Sequence, residues 1–477
     1  MKIMHIIRFG IFLLLMIFLF FTKKVSSSDS SNLFLCLWFF FNIFFTTFIK
    51  SNRFKGLYYF FIIINVINVG IGIVMSVILA DNAINNYTLF CINLSYLFFL
   101  CGMLLGEKTT NPIIRYSTSE EISKNNKFVP YRIILIILFG LLLNTSTFLF
   151  PNIVQSLGIG PKMKLIVNVI FDYKFYFVIF FLLTINQYKY YKFYEKLILA
   201  LFLTIFVISK LVIGVKSGII QVLIFSIIVL LTMRLNFKIP KKFLIISIFL
   251  FPLIILTYAL GLAIRVSIAN DLFLKNVSLL SLYLNVFENF SIMDSNVLVI
   301  IEKFFKRTNQ INQIDILINK EVDIIEILIN YYQFLVNLIL PGSLFPDAIP
   351  PSVYFKVPYL NHNLYDALNN YRSDMLPLYG ELYSLVGPFS LILLFWIGFF
   401  YIRTINYLYE KKYFPRVLVC ALSMYFLSLL LFNMGFVGFF EQLLYSIIPA
   451  IIFTLFFKKT YILLNDLKPQ IDENKIL

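Results

Sequence analysis

The chain has 477 residues, of which 60% are hydrophobic and 13% are charged, and its mean hydropathy is +0.88. Soluble domains contain roughly 45–50% apolar residues, so this composition excludes an ordinary soluble protein and predicts an integral membrane protein. The net charge of +16 comes from Lys and Arg clusters between apolar segments, a pattern typical of cytoplasmic loops rather than of nucleic-acid binding.

Apolar stretches of about 20 residues, the length needed to cross a bilayer, recur along the chain. The expected fold is an all-α polytopic membrane protein, with spans 1 to 9 within residues 1–263 and spans 10 to 12 within residues 381–457. We predict about twelve transmembrane helices, at residues 3–21, 33–49, 57–80, 87–105, 133–150, 165–185, 197–213, 217–233, 243–263, 382–402, 417–433 and 441–457.

Charge predicts which side of the membrane each loop faces. Placing the N-terminus in the cytoplasm puts more than half of the Lys and Arg residues there, as the positive-inside rule requires. Both termini, including the tail at 458–477, are then cytoplasmic. The long polar loop at 264–380 faces the opposite, extracytoplasmic side.

Two segments of this outer loop have helical periodicity. Residues 298–307 have one apolar and one charged face, which suits a helix that lies flat on the bilayer. Residues 323–340 carry a polar stripe along an otherwise apolar helix that ends before Pro341 and Gly342. We expect an interfacial or re-entrant helix here, because a thirteenth crossing would move the later basic clusters outside. The stripe consists of Glu326, Asn330, Gln333 and Asn337.

Basic residues occur at the outer boundary of the predicted spans. Lys216 lies in a tight connection between two spans, Arg265 follows the ninth span, and Arg372 lies in the outer loop. Together with Lys210, which can extend its side chain to the same boundary, these cations match the charge of a lipid diphosphate. An alternative interpretation is that Arg265 and Lys216 only anchor helix ends at lipid headgroups.

His362 is the candidate general base of the loop. A helix would place Asp366 one turn away, where its carboxylate orients the imidazole, and Asp374 and Glu381 follow closely. A lone histidine in a polar loop is also often a hydrogen-bonded surface residue. Since the chain has only 2 His, a His-rich metal site is excluded, and we predict chemistry without a metal or other cofactor.

Several short motifs resemble those of the bacterial oligosaccharide repeat-unit polymerases, the Wzy-type O-antigen and capsule polymerases. Residues 214–230 (GVKSGIIQVLIFSIIVL) are similar to the family's outer turn with a basic residue above a helix. Residues 341–346 (PGSLFP) and 380–387 (GELYSLVG) are similar to its Pro-rich loop end and its Gly-Glu-x-Tyr entry to the next span. His362-Asn363 resembles the His-Asn motif of the related O-antigen ligases.

The resemblance implies polymerisation of repeat units on the periplasmic face of the bacterial inner membrane. A glycan on undecaprenyl diphosphate would be transferred to a new lipid-linked repeat unit, with a chain-length regulator and a flippase as further partners. His362 or Glu381 would help to deprotonate the acceptor hydroxyl, and Arg265 would hold diphosphate. The residues expected to bind diphosphate or glycan are Lys216, Arg372, Lys210, Asp366, Asp374 and Tyr379.

Two other functions stay open from the sequence. An O-antigen ligase would use similar cations and a similar loop to pass the finished glycan to its final acceptor. A flippase or other transporter would carry ionisable groups through the midplane of several helices and have short connections. The single long outer loop favours an enzyme.

Overall fold

We describe the protein from a computed structural model. The structure describes residues 30–49, 54–74, 85–107, 114–117, 130–149, 173–187, 191–212, 218–233, 311–319, 324–339, 377–411, 414–433, 435–457 and 468–471, together with residues 8, 10–12, 15 and 464. The predicted helix at 298–307 and the predicted span at 243–263 lie outside these residues.

The described residues are helical except for two strands of four residues each, β1 and β2, which pair in a two-stranded sheet. Two helices continue into π-helical turns, α2 at Val66–Gly70 and α12 at Leu429–Asn433. The elements in chain order are α1 (Ser30–Thr46), α2 (Lys55–Asn65), α3 (Asn86–Gly106), β1 (Ile114–Ser117), α4 (Tyr131–Leu149), α5 (Tyr173–Gln187), α6 (Phe193–Val212), α7 (Gly218–Met233), α8 (Ile311–Asn319), α9 (Ile324–Ile339), α10 (Leu378–Val386), α11 (Ser390–Lys411), α12 (Arg416–Ser428), α13 (Gly435–Phe456) and β2 (Lys468–Ile471).

Among these elements, three helices are long and apolar enough to cross a membrane: Lys55–Val74, Asn86–Gly106 and Leu378–Lys411. Shorter apolar helices cover Leu33–Thr46, Tyr131–Leu142, Lys174–Thr184 and Arg416–Leu431. The all-α prediction is therefore confirmed for the described part of the chain. The number of twelve spans is not established by these helices, and the sidedness and the division into spans, loop and tail stay predictions.

The chain forms two compact units. The first comprises Arg115–Phe304 and Tyr445–Gln470, and it contains α4 to α7 and the end of α13. Helix α5 is the centre of this unit, since every residue from Phe175 to Leu183 is buried. Such a helix, apolar on all sides, packs against neighbours around its whole circumference, and α4 and α7 are the closest of them.

The second unit comprises Lys2–Ile114, Phe305–Leu444 and Ile471–Leu477. Its most extensive helix pair is α3 with α11. Three glycines let the two backbones touch: a Cβ on Gly102 would lie 2.0 Å from the Phe395 carbonyl oxygen, and one on Gly398 would lie 2.4 Å from the Phe99 carbonyl oxygen. Gly106, four residues after Gly102, meets α11 in the same way. Small residues at this spacing are typical of helix pairs in membranes.

Several helices leave an apolar stripe uncovered by the rest of the described structure. On α6 the stripe recurs every three or four residues along one face. Soluble proteins seldom leave an apolar surface of this kind exposed, whereas a helix beside lipid requires it. These faces are therefore the ones that we expect to contact the bilayer. On α6 they are Phe193, Leu197, Leu201, Ile205 and Ile208.

Candidate functional site

Two of the predicted site residues, Tyr379 and Glu381, are described with their side chains, and both lie on α10 in the second unit. Lys210 is placed as part of the last turn of α6, in the first unit. The convergence of the predicted cations on one site stays a prediction. The residues outside the described part of the chain are Lys216, Arg265, His362, Asp366, Arg372 and Asp374.

Helix α10 is a short helix that ends before α11 begins. The tenth span predicted at 382–402 is therefore divided between two helices. Helix α10 follows Pro377, which is in an extended conformation, and it ends at Gly387, whose φ of 59° lies in the left-handed region. Glycine adopts this conformation without the steric cost that a side chain would bring. A single 3₁₀ turn, Gly387–Phe389, then leads into α11. The break sets the direction of α10 independently of the long helix that follows it.

Glu381 is completely buried, with 0% of its surface exposed. Its Oε1 accepts a hydrogen bond of 2.6 Å from the hydroxyl of Tyr331, on α9. A buried carboxylate needs such donors, because its desolvation is otherwise expensive. The loop helix α9 therefore contributes the group that covers the carboxylate. The carboxylate is therefore closed off from solvent in this structure.

Tyr379 fixes the opposite side of α10. Its hydroxyl donates a hydrogen bond of 3.4 Å to Oδ1 of Asn65, and both residues are buried. Asn65 also donates to the carbonyl oxygen of Phe61 at 2.8 Å, and it immediately precedes the π-helical turn of α2. Helix α10 also contacts the π-helical turn after α12, and such turns often occur at functional sites. In the structure Tyr379 contacts protein, and its contact with glycan stays a prediction.

Gly380 allows the second loop helix, α8, to approach α10. A Cβ at this position would lie 2.7 Å from Cδ1 of Leu317 and 3.3 Å from the Cα of Ile314. Glycine in the Gly380-Glu381 pair therefore has a packing reason that is independent of catalysis. Both α8 and α9, from the segment predicted as an outer loop, thus contact the helix that carries Glu381.

A polar cluster that the sequence did not predict joins α8 to the start of α3. Thr88 donates a hydrogen bond of 2.5 Å to Oδ1 of Asp315, and Asn319 donates to the same oxygen at 3.1 Å. Oδ1 of Asn85 accepts a hydrogen bond of 2.9 Å from the backbone NH of Tyr87 and so caps α3. The side-chain NH2 of Asn85 donates to Oδ1 of Asn319 at 3.3 Å. We call Asn85, Tyr87, Thr88, Asp315, Asn319 and Tyr383 the α3–α8 cluster; Tyr383 belongs to it through a hydroxyl contact with Tyr87.

Helix α9 has exposed apolar residues on one side and buries Asn330 on another. Asn330, from the predicted polar stripe, is buried beside Tyr331, whereas Ile325, Leu328 and Tyr332 are exposed. A helix on the surface of a soluble domain would show the reverse arrangement. The described helix has 16 residues and is about 24 Å long. The predicted helix is therefore present, and its interfacial or re-entrant placement stays a prediction.

The described residues contain no group of three or more His, Cys, Asp or Glu side chains placed to hold a metal ion. No protein-family model, curated protein or solved structure matches the chain. The family resemblance of the short motifs thus stays a prediction. The residues that pack around α10 are therefore the basis for proposing a function.

Proposed function

We propose that this chain is a membrane glycosyltransferase that polymerises lipid-linked oligosaccharide repeat units into a surface polysaccharide, an O-antigen or a capsule. The observation that carries the proposal is the buried carboxylate of Glu381, covered by Tyr331 and flanked by two helices of the polar loop. The proposal is supported by the contact of α10 with α8 and α9, two helices of the segment predicted as the outer loop. A substrate that is part lipid and part glycan suits a site between an apolar helix and a polar loop.

The proposed reaction is a displacement at the anomeric carbon of the donor. The acceptor hydroxyl, at the non-reducing end of a new repeat unit, attacks this carbon and loses its proton to Glu381 or His362. The bond between the anomeric carbon and the diphosphate oxygen breaks as the new glycosidic bond forms. Undecaprenyl diphosphate leaves as a stable anion, so no strong acid is needed at the leaving group.

Cations at the membrane boundary complete the proposed site. Arg265 and Lys216 hold the diphosphates, with Arg372 and Lys210 beside them, since fixed positive charge stabilises the leaving anion. Asp366 orients His362, and Asp374 contacts glycan. The reaction needs no metal under this proposal, because these side chains supply the positive charge.

The cover over Glu381 implies an opening step. Tyr331 has to leave the carboxylate before a substrate hydroxyl can replace it, so α9 moves when the acceptor binds. The exposed apolar face of α9, with Ile325, Leu328 and Tyr332, suits this movement because it is the face that we expect to lie against lipid. The closed state keeps water away from the base between reactions.

Deletion of the gene, followed by analysis of the surface glycan and of the lipid-linked pool, tests the proposed function. We expect undecaprenyl-diphosphate-linked single repeats to accumulate and long polymer to disappear, with restoration by the wild-type gene. Polymer retained on the lipid would instead indicate a ligase. Loss of every exported product would indicate a flippase, and unchanged polymer would contradict the proposal.

A further inference from the structure

The α3–α8 cluster has the chemistry of a carbohydrate-binding subsite. We infer that it binds one sugar residue of the oligosaccharide, stacked on Tyr87 and hydrogen-bonded to Asp315 and Asn319. The inference rests on the proposed function and adds a position for the glycan that none of the predicted residues supplies.

Tyr87 supplies an accessible and oriented aromatic ring. Its surface is 46% exposed although its hydroxyl contacts that of Tyr383, and the two rings meet edge to face at 5.9 Å and 78°. The face of an aromatic ring is negative, and the C–H groups on the apolar face of a sugar are slightly positive, so the two attract each other. A ring held by a partner loses little conformational entropy when a ligand stacks on it.

The polar members of the cluster match sugar hydroxyls, which both donate and accept hydrogen bonds. Asp315 uses Oδ1 for Thr88 and Asn319, and within the described part of the chain no hydrogen bond uses its Oδ2. An ionised carboxylate only accepts, so this oxygen suits a hydroxyl donor. Asn319 is exposed beside it. Its NH2 group donates to Asp315 and its Oδ1 accepts from Asn85, and the second lone pair of that oxygen can accept from another hydroxyl. One aromatic face with a few polar groups is the usual composition of a small-ligand site.

The charge of the α3–α8 cluster favours the sugar portion of the substrate over its diphosphate. The cluster holds one carboxylate and otherwise neutral side chains, so a diphosphate would be repelled from it. The uncharged sugar portion of the substrate would not be repelled. The cluster therefore suits the glycan rather than the diphosphate.

The subsite adjoins the helix that carries the proposed base. Asp315 is on α8, whose Ile314 and Leu317 approach α10 at Gly380. Tyr383 lies two residues after Glu381, so it shares the side of α10 that carries Tyr379, and Glu381 lies on the other side. A sugar at Tyr87 is therefore held against α10 without touching the carboxylate, and we assign the subsite to a sugar other than the one that reacts.

The hydrogen bonds of the cluster also fasten α8 to α3, so the test has to separate binding from folding. Tyr87→Leu removes the ring while leaving the bonds among Thr88, Asp315 and Asn319 in place. Phe90→Leu is the matched control, because Phe90 is 43% exposed one turn further along α3. Asp315→Asn keeps an acceptor for Thr88 and removes the charge.

The probe is the repeat-unit oligosaccharide, released by mild acid from the lipid-linked material that accumulates in cells lacking the gene. Its binding to the purified full-length protein in lipid nanodiscs is measured by saturation-transfer NMR titration. We expect Tyr87→Leu to bind about tenfold more weakly than wild type, Phe90→Leu to bind normally, and both to keep the wild-type unfolding temperature. Asp315→Asn should weaken binding by a similar factor, again without a change in unfolding temperature.

Equal binding by wild type and Tyr87→Leu would overturn the subsite. An equal loss in Phe90→Leu, or a lowered unfolding temperature in Tyr87→Leu, would also overturn it, since the effect would then be structural. If no lipid-linked single repeat accumulates after deletion, the proposed function fails and the subsite fails with it. Failure of the subsite alone leaves that accumulation intact.

Discussion

Glu381→Gln is expected to lower the rate of polymer formation by about a hundredfold or more, the usual contribution of a general base. Glutamine keeps the size of the side chain and an oxygen that accepts the Tyr331 hydrogen bond, so the packing around α10 should persist. It cannot take up the proton of the acceptor hydroxyl. The measurement is the chain length of surface glycan in cells that carry only the variant, with protein level determined by immunoblot.

A matched control for this substitution is Glu195→Gln in the first unit. Glu195 is also buried and accepts a hydrogen bond of 2.6 Å, from the backbone NH of Lys192. Since it caps the start of α6 and lies in the other unit, its neutralisation should leave polymer length unchanged. Normal polymer in Glu381→Gln would remove Glu381 from the role of base and leave His362 as the candidate.

Gly102→Ala is expected to lower the free energy of unfolding by about 3 kcal/mol, the upper end of the usual cost of overpacking. The added Cβ would lie 2.0 Å from the carbonyl oxygen of Phe395, so α3 and α11 would have to separate along their contact. Because the obstacle is backbone, a smaller side chain at Phe395 should not relieve it. Thermal unfolding of the detergent-solubilised protein measures the effect.

Gly10→Ala is the control for the glycine substitution. No described atom lies within 4 Å of a Cβ at Gly10, so the change should be neutral or slightly stabilising. The double variant Gly102→Ala/Phe395→Ala should unfold at least as readily as Gly102→Ala. Wild-type stability in Gly102→Ala would show that the two helices do not touch through their backbones.

The helical nature of the chain could be predicted because apolar runs of membrane length leave few alternatives. Breaks within these runs could not be predicted. The tenth span was predicted from residue 382 through Gly387 without interruption, yet Gly387 adopts a positive φ and divides it. The π-helical turn at Val66–Gly70 likewise has no sequence signal, since one extra residue in a turn depends on the helices packed around it.

The sequence singles out Glu381 through the Gly-Glu-x-Tyr motif at 380–387, and its role as a base stays a prediction. The partner of Glu381, Tyr331, could not be predicted, because nothing in the sequence brings residue 331 to residue 381. The α3–α8 cluster was missed for the same reason: Asp315 is an isolated acid in a long loop, and Asn85 and Thr88 look like an ordinary helix start.

Reconstitution of the purified protein with undecaprenyl-diphosphate-linked single repeats tests the central claim most directly. The reaction contains nanodiscs and buffer with EDTA, and the products are separated by size after release from the lipid. We expect a ladder of multimers from the wild-type protein, its formation about a hundredfold slower with Glu381→Gln, and release of one undecaprenyl diphosphate for each new linkage. Single repeats that stay unchanged with folded wild-type protein would contradict the assignment of this chain as the polymerase.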